Sequence, residues 1–128
     1  MNEERNGKGK EYYYSGEIFF EGEYLDGLKT GKAKEYDSEN RLIFEGEYLN
    51  GKRNGKGKKY NKNGKIEFEG EYLDGKRWNG KAKSYLFDPE NFEGEYLNGK
   101  RWNGIGCHNG INYEIKNGKK FEIKHEKK

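Results

Sequence analysis

Phe-Glu-Gly-Glu-Tyr-Leu-Asn-Gly-Lys-Arg-Asn-Gly-Lys-Gly-Lys-Lys-Tyr, residues 44–60, is the stretch that decides the fold. Side chains alternate across an extended strand, so Phe44, Gly46 and Tyr48 share one face while Glu45, Glu47 and Leu49 share the other. Asn50-Gly51 follows at once. A type I′ turn needs positive φ at both central residues, and Asn-Gly meets that need at least cost. Lys52–Tyr60 then reads as the returning strand of a β-hairpin.

The same text recurs outward in both directions. Phe-Glu-Gly-Glu-Tyr stands at Phe20–Tyr24, Phe44–Tyr48, Phe68–Tyr72 and Phe92–Tyr96, a spacing of 24 residues each time. Each copy leads to Asp26-Gly27, Asn50-Gly51, Asp74-Gly75 or Asn98-Gly99. The Gly/Lys run recurs at Gly31–Tyr36, Gly55–Tyr60 and Gly80–Tyr85, and Gly7–Tyr12 matches it as well. Ser15-Gly16 and Asn63-Gly64 mark the return turns, and Asn40, tolerant of left-handed backbone, holds the Gly64 position one repeat earlier. A fixed period of this length predicts a repeat architecture. The expected fold is all-β, a single-layer antiparallel β-hairpin solenoid of 24-residue repeats, forming an elongated ribbon with no helical domain. At about 4.8 Å per strand it should extend on the order of 45 Å.

The glycine within each strand requires a reason, since glycine weakens strands. Gly22, Gly46, Gly70 and Gly94 lie between two aromatics, and the missing side chain leaves room for a neighbouring ring on the backbone. Stacked repeats then bury an aromatic stripe that one repeat alone could not bury. The chain divides into a partial repeat at 1–19, repeats at 20–43, 44–67, 68–91 and 92–110, and a capping hairpin at 111–128. In that cap Tyr113 replaces the expected glycine, and lysines on a last strand over Lys119–His125 would blunt the open edge.

Composition excludes several classes. The 128 residues are 38% charged and 30% hydrophobic, which alone would suggest disorder, but 16% are aromatic and the 20 glycines are evenly spread. The net charge of +3 is the small difference between 26 basic and 23 acidic side chains, which gives no mandate for nucleic acid. No apolar run reaches the roughly 18 residues of a membrane span. The lone Cys107 and the lack of a secretory apolar run point to a cytoplasmic setting, and any membrane contact would be peripheral.

Phe44–Tyr60 closely resembles the MORN motif (membrane occupation and recognition nexus), and the resemblance runs over about residues 7–118. In that family an aromatic-x-Gly-Glu-aromatic strand leads to a Gly-Lys turn and a Gly-x-Gly strand. MORN arrays occur in phosphoinositide kinases, proteins of membrane junctions, a histone methyltransferase and protist cytoskeletal scaffolds. The resemblance implies adaptor and localisation roles. Phe44, Gly46, Tyr48, Gly51, Gly55 and Gly57 match scaffold positions of the motif.

No residue pattern points to catalysis. Cys107 and His108 are adjacent, hence on opposite faces of a strand, with no orienting third group. One cysteine and two histidines, His108 and His125, make no metal-ligand spacing. Neither a P-loop nor a dinucleotide fingerprint is present, so neither enzyme activity nor a cofactor is expected. The leading expectation is a scaffold that binds a protein partner, a peptide or helix, along a groove of aromatics and glycine backbone. Arg77, Trp78, Arg101 and Trp102 would form its gripping edge, Trp and Arg being frequent hot-spot residues. The alternative is a peripheral module for anionic phosphoinositide lipid, acting through Lys52, Arg53, Lys56, Lys58 and Lys59 and the C-terminal tail. Residues 44–67 carry seven basic and three acidic side chains. A third reading makes the array the localising piece of a larger enzyme. Open strand edges also leave a homodimer in view.

Overall fold

A computed structural model describes residues 5–85 and 92–123. Among these described residues eleven strands form one antiparallel sheet in strict chain order. They are β1 (Gly7–Tyr12), β2 (Ile18–Leu25), β3 (Leu28–Tyr36), β4 (Leu42–Leu49), β5 (Lys52–Tyr60), β6 (Ile66–Leu73), β7 (Lys76–Ala82), β8 (Phe92–Leu97), β9 (Lys100–His108), β10 (Ile111–Lys116) and β11 (Lys119–Glu122). Among the described residues each strand packs chiefly against the strands next to it in sequence, as in a solenoid.

The turns are those that their dipeptides demand. Asp26, Asn50, Asp74 and Asn98 have φ of 51°, 51°, 49° and 50°, each followed by a glycine of positive φ. Asn40 takes φ of 64°, in keeping with its stand-in role for Gly64. On the opposite edge, Asp37 Oδ1 accepts the amides of Glu39 (2.9 Å) and Arg41 (3.0 Å). Asn61 Oδ1 does the same for Asn63 (2.9 Å) and Lys65 (3.0 Å). These side-chain bonds fix the return loops.

Burial lies on one face. Phe20, Phe44 and Phe68 have no exposed surface, although only one layer of sheet is present. Three devices close them off. Glycine backbone lies beneath: a Cβ on Gly57 would stand 2.8 Å from the Phe44 ring and 3.0 Å from Tyr72. Tyrosines stand beside, in edge-to-face contact within a strand and across repeats; Phe20 meets Tyr48 at 5.4 Å, Phe44 meets Tyr72 at 5.2 Å and Phe68 meets Tyr96 at 5.5 Å. Such pairs contribute about 0.5–1.5 kcal/mol each beyond area burial. Cations lie on top: Lys29 over Phe20 (4.2 Å), Arg53 over Phe44 (4.0 Å), Arg77 over Phe68 (5.0 Å) and Arg101 over Phe92 (5.0 Å). Each lid residue is paired in register with the tyrosine before the turn, as Arg53 is with Tyr48.

At the C-terminal end Tyr113 occupies the strand position of a glycine and lies on Gly106, whose added Cβ would meet its ring at 2.3 Å. The last strand ends at Glu122, shorter than expected, and residues 124–128 of the expected strand and basic tail lie outside the described residues.

Candidate functional site: a trough on the Glu/Lys face

The face opposite the buried rings carries a trough of about 1290 Å³ across β1–β6. Its floor is the strand-centre column of Gly9, Gly22, Ala33, Gly46, Gly57 and Gly70, and its walls are the charged residues on either side of that column. One wall pairs Lys8 with Glu23, Lys32 with Glu47 and Lys56 with Glu71. The other runs Lys10, Glu21, Lys34, Glu45, Lys58, Glu69 through successive pairings. Strand alternation builds this arrangement directly: long charged side chains flank a residue with little or no side chain, on the face away from the rings.

Opposite charges thus meet along both walls, and Lys58–Glu69 closes to 3.7 Å. Glu47 turns inward, accepting the Lys56 amide at 3.0 Å. Tyr36 donates to Glu21 at 2.8 Å and Tyr60 donates to Glu45, tying two wall carboxylates to the lower margin where Tyr12 also lines the trough. Burial first, and then the carboxylate partner, pushes Tyr36 and Tyr60 up to about 12. On the ring face Tyr24 donates to Glu11 and Tyr48 to Glu35, which also accepts Arg53 Nε at 2.8 Å.

The expected groove of aromatics is corrected here. The phenylalanines lie packed beneath their lids on the other face, and the open channel is one of glycine backbone and charge. Arg77 and Arg101 are lids: Arg77 lies 3.9 Å from Glu67, and Arg101 donates to the Tyr113 hydroxyl at 2.7 Å. Trp78 and Trp102 are half-buried beneath the next hairpin turn. Added Cβ atoms on Gly99 and Gly118 would meet the two indoles at 2.9 and 3.1 Å. The Arg side chains therefore pack over rings and the Trp side chains under the next turn, both as parts of the repeat stack.

The basic cluster of β5 is split between the faces. Lys56 and Lys58 line the trough, and Lys52 shares their face beside Leu49. Arg53 lies on the ring face, and Lys59 reaches Glu67 at 3.6 Å. Cys107 is half-buried and His108 exposed. Among the described residues no cluster suited to a metal ion occurs, and no helix is long and apolar enough to cross a membrane. Sequence reasoning did not single out the trough residues Glu21, Lys32 and Lys34. Their signal was in the strand text, as Glu-Gly-Glu and Lys-x-Lys placed opposite one another.

A single sheet of hairpin repeats with a sealed ring face and an open charged channel defines an interaction array. The chain belongs to the MORN repeat family: that family's model matches residues 4–18, 20–40, 44–66 and 92–103. MORN repeats are non-catalytic modules that mediate protein and membrane interactions. No individual curated protein matches the sequence. The unmatched stretch contains the third full repeat, in which Trp78 is an extra residue after the turn.

Proposed function

We propose that this chain is a non-catalytic scaffold that holds a segment of a partner protein, peptide or helix, along the trough of β1–β6. The trough itself carries this reading. A floor of bare backbone admits close approach, and its walls present equal numbers of alternating charges, which set register and partner choice more than raw affinity. A polyanion finds a glutamate beside every lysine there. The anionic-lipid reading ranks second because Arg53 and Lys59 are engaged on the ring face, leaving Lys52, Lys56 and Lys58 for a headgroup.

Peptides selected from a displayed library against the immobilised chain test the proposal. Ligands of the trough should lose about tenfold or more in affinity, roughly 1.4 kcal/mol, when Glu47→Lys and Lys56→Glu are combined, and should keep it in Trp78→Ala. Vesicles containing phosphoinositide are the counter-test. Pelleting that survives physiological salt and disappears in Lys52→Glu/Lys56→Glu/Lys58→Glu would make this a membrane module instead.

A further inference from the structure

The charges of the trough recur with a fixed period, and that period belongs to the sheet itself. Lys8 and Lys10 on β1, Lys32 and Lys34 on β3, and Lys56 and Lys58 on β5 are separated by the glutamate pairs of β2 and β4. Each lysine pair straddles the floor, its members two residues apart on one strand, about 6.7 Å. The pairs recur at every second strand, about 9.6 Å along the trough. The cations are the less satisfied half of this pattern. Glu21 and Glu45 accept the Tyr36 and Tyr60 hydroxyls, and Glu47 accepts the Lys56 amide. Among the described residues only Lys58 of the six wall lysines closes an ion pair, with Glu69 at 3.7 Å, and the other five are exposed. The trough thus presents three two-lysine clamps for carboxylates, and the glutamate pairs between them refuse an unbroken run of acid.

Width and period then select the conformation of an occupant. An α-helix, about 10–12 Å across, is wider than the spacing of the two walls and would ride above the floor. It also rises about 1.5 Å per residue, so one period of the trough is no whole number of its residues. A flat strand shows the same face every second residue, about 6.7 Å, and falls out of step within one period. A polyproline II chain repeats every three residues, about 9.3 Å, which matches. It makes no internal hydrogen bonds, so its backbone groups need the partners that lysine and glutamate walls supply.

We propose that the trough takes a polyproline II segment of a partner protein, with an acidic residue at every third position and a basic residue between. The inference rests on the scaffold reading above and narrows its partner. Successive acidic side chains enter the clamps of β1, β3 and β5 in turn, and the intervening basic residues meet the glutamate pairs of β2 and β4. The third residue of each triplet points to solvent and is free to be proline, which holds the chain in this conformation. The trough ends at β6, so three triplets fill it.

Fluorescent peptides of one to four Glu-Lys-Pro triplets test this against the whole chain by polarisation. Affinity should climb through three triplets, and a fourth should add little. Three controls should bind about tenfold or more weakly than the three-triplet parent: the same composition with its glutamates grouped at one end, an all-glutamate peptide, and a helical peptide with glutamate and lysine at heptad spacing. Lys32→Glu/Lys34→Glu should weaken the parent and favour a peptide whose central glutamate is changed to lysine, a reversal that lost folding could not imitate. No saturable binding of the parent, equal binding of the ordered and grouped peptides, or no reversal in the double variant would overturn the triplet. Helical ligands from the displayed library that footprint on the trough would also overturn it, while leaving the scaffold reading standing. A library that yields no trough ligand would overturn both.

Discussion

Hairpins β2–β3 and β4–β5 differ from β6–β7 and β8–β9 by one residue, and the two faces of the sheet respond to it differently. In the first pair Gly22 lies opposite Ala33 and Gly46 opposite Gly57, and two residues bulge out before the tyrosine pairing resumes. In the second pair the extra residue, Trp78 or Trp102, is itself a one-residue bulge, and Gly70 and Gly94 lie opposite Gly80 and Gly104. Pairing inside the hairpin has slipped by two residues. Because side chains alternate with a period of two, such a slip leaves every ring on its own face, and the aromatic stack continues. The charged walls do not. Lys81 faces Glu69 of one wall on one side and Glu95, the repeat equivalent of Glu71 in the other wall, on its second side. Both walls step sideways by two residues, about 7 Å, and the trough ends at β6. A repeat array can therefore keep its core while one inserted residue closes the trough on its other face.

The largest expected effects are at two glycines of the returning strands, Gly80 and Gly57. A Cβ on Gly80 would meet the Glu69 carbonyl at 2.5 Å and Gly70 Cα at 2.8 Å, at φ +151°, so backbone must move. Gly80→Ala should cost about 3 kcal/mol or more, whereas Gly57→Ala presses on rings that can tilt and should cost about 1–3 kcal/mol. Urea titrations of both variants give the order, and a larger loss at Gly57 would break the comparison. Deleting Trp78 should cost about 2 kcal/mol through lost indole packing. It should also return Gly70 to a position opposite Ala82 and carry the trough on into β7, which cross-strand proton contacts by NMR would report.

Smaller effects separate the hydroxyls. Tyr48 donates to Glu35, but the equivalent of Glu35 one repeat later is Lys59, and the buried Tyr72 hydroxyl has no partner in good hydrogen-bond geometry, the Arg77 guanidinium standing close enough only to lower its pKa. Burial raises the Tyr72 pKa while the Arg53 and Arg77 charges pull it down. Tyr48→Phe should cost about 1 kcal/mol and Tyr72→Phe should be neutral or stabilising; thermal melts of the pair decide it. The bonded tyrosines also set an alkaline limit. Tyr24, Tyr36 and Tyr60 are pushed up to about 12 from an ordinary value of 10.0, by burial first and by carboxylate partners second. The folded chain holds these protons more tightly than the unfolded one, so their stabilisation is whole below pH 10 and is lost as pH climbs toward 12. All three lie in β1–β5, so amide exchange should accelerate there first. Last, Asn79 Oδ1 accepts the Asn98 turn amide at 2.9 Å, and Asn79→Ala should cost about 1 kcal/mol in the same melts.

Much of this was legible in the sequence because it depends on local rules. Period two put the rings and Glu/Lys on opposite faces, Asp-Gly and Asn-Gly fixed the turns, and the glycine between two aromatics announced a ring lying on backbone. Tyr113 as a filled glycine position was legible for the same reason. Two features were not. Alternation assigns side chains to faces without saying which face is sealed, and the seal depends on Lys29, Arg53, Arg77 and Arg101 folding back over rings, a long-range contact. The register slip was masked because the return after Ala82 is one residue shorter, which preserves the 24-residue spacing. The same slip explains why an edge of Arg77, Trp78, Arg101 and Trp102 looked continuous in sequence yet is divided between lids and bulges.

The most direct test of the account is a two-dimensional amide NMR footprint of a selected peptide ligand on the wild-type chain. Shifts are expected to centre on Gly22, Gly46, Gly57 and the wall residues Glu21, Lys32, Glu47 and Lys56, and to fade beyond β6. Shifts centred on Trp78 and Trp102, or on the lids Arg77 and Arg101, would contradict it and move the binding surface away from the trough.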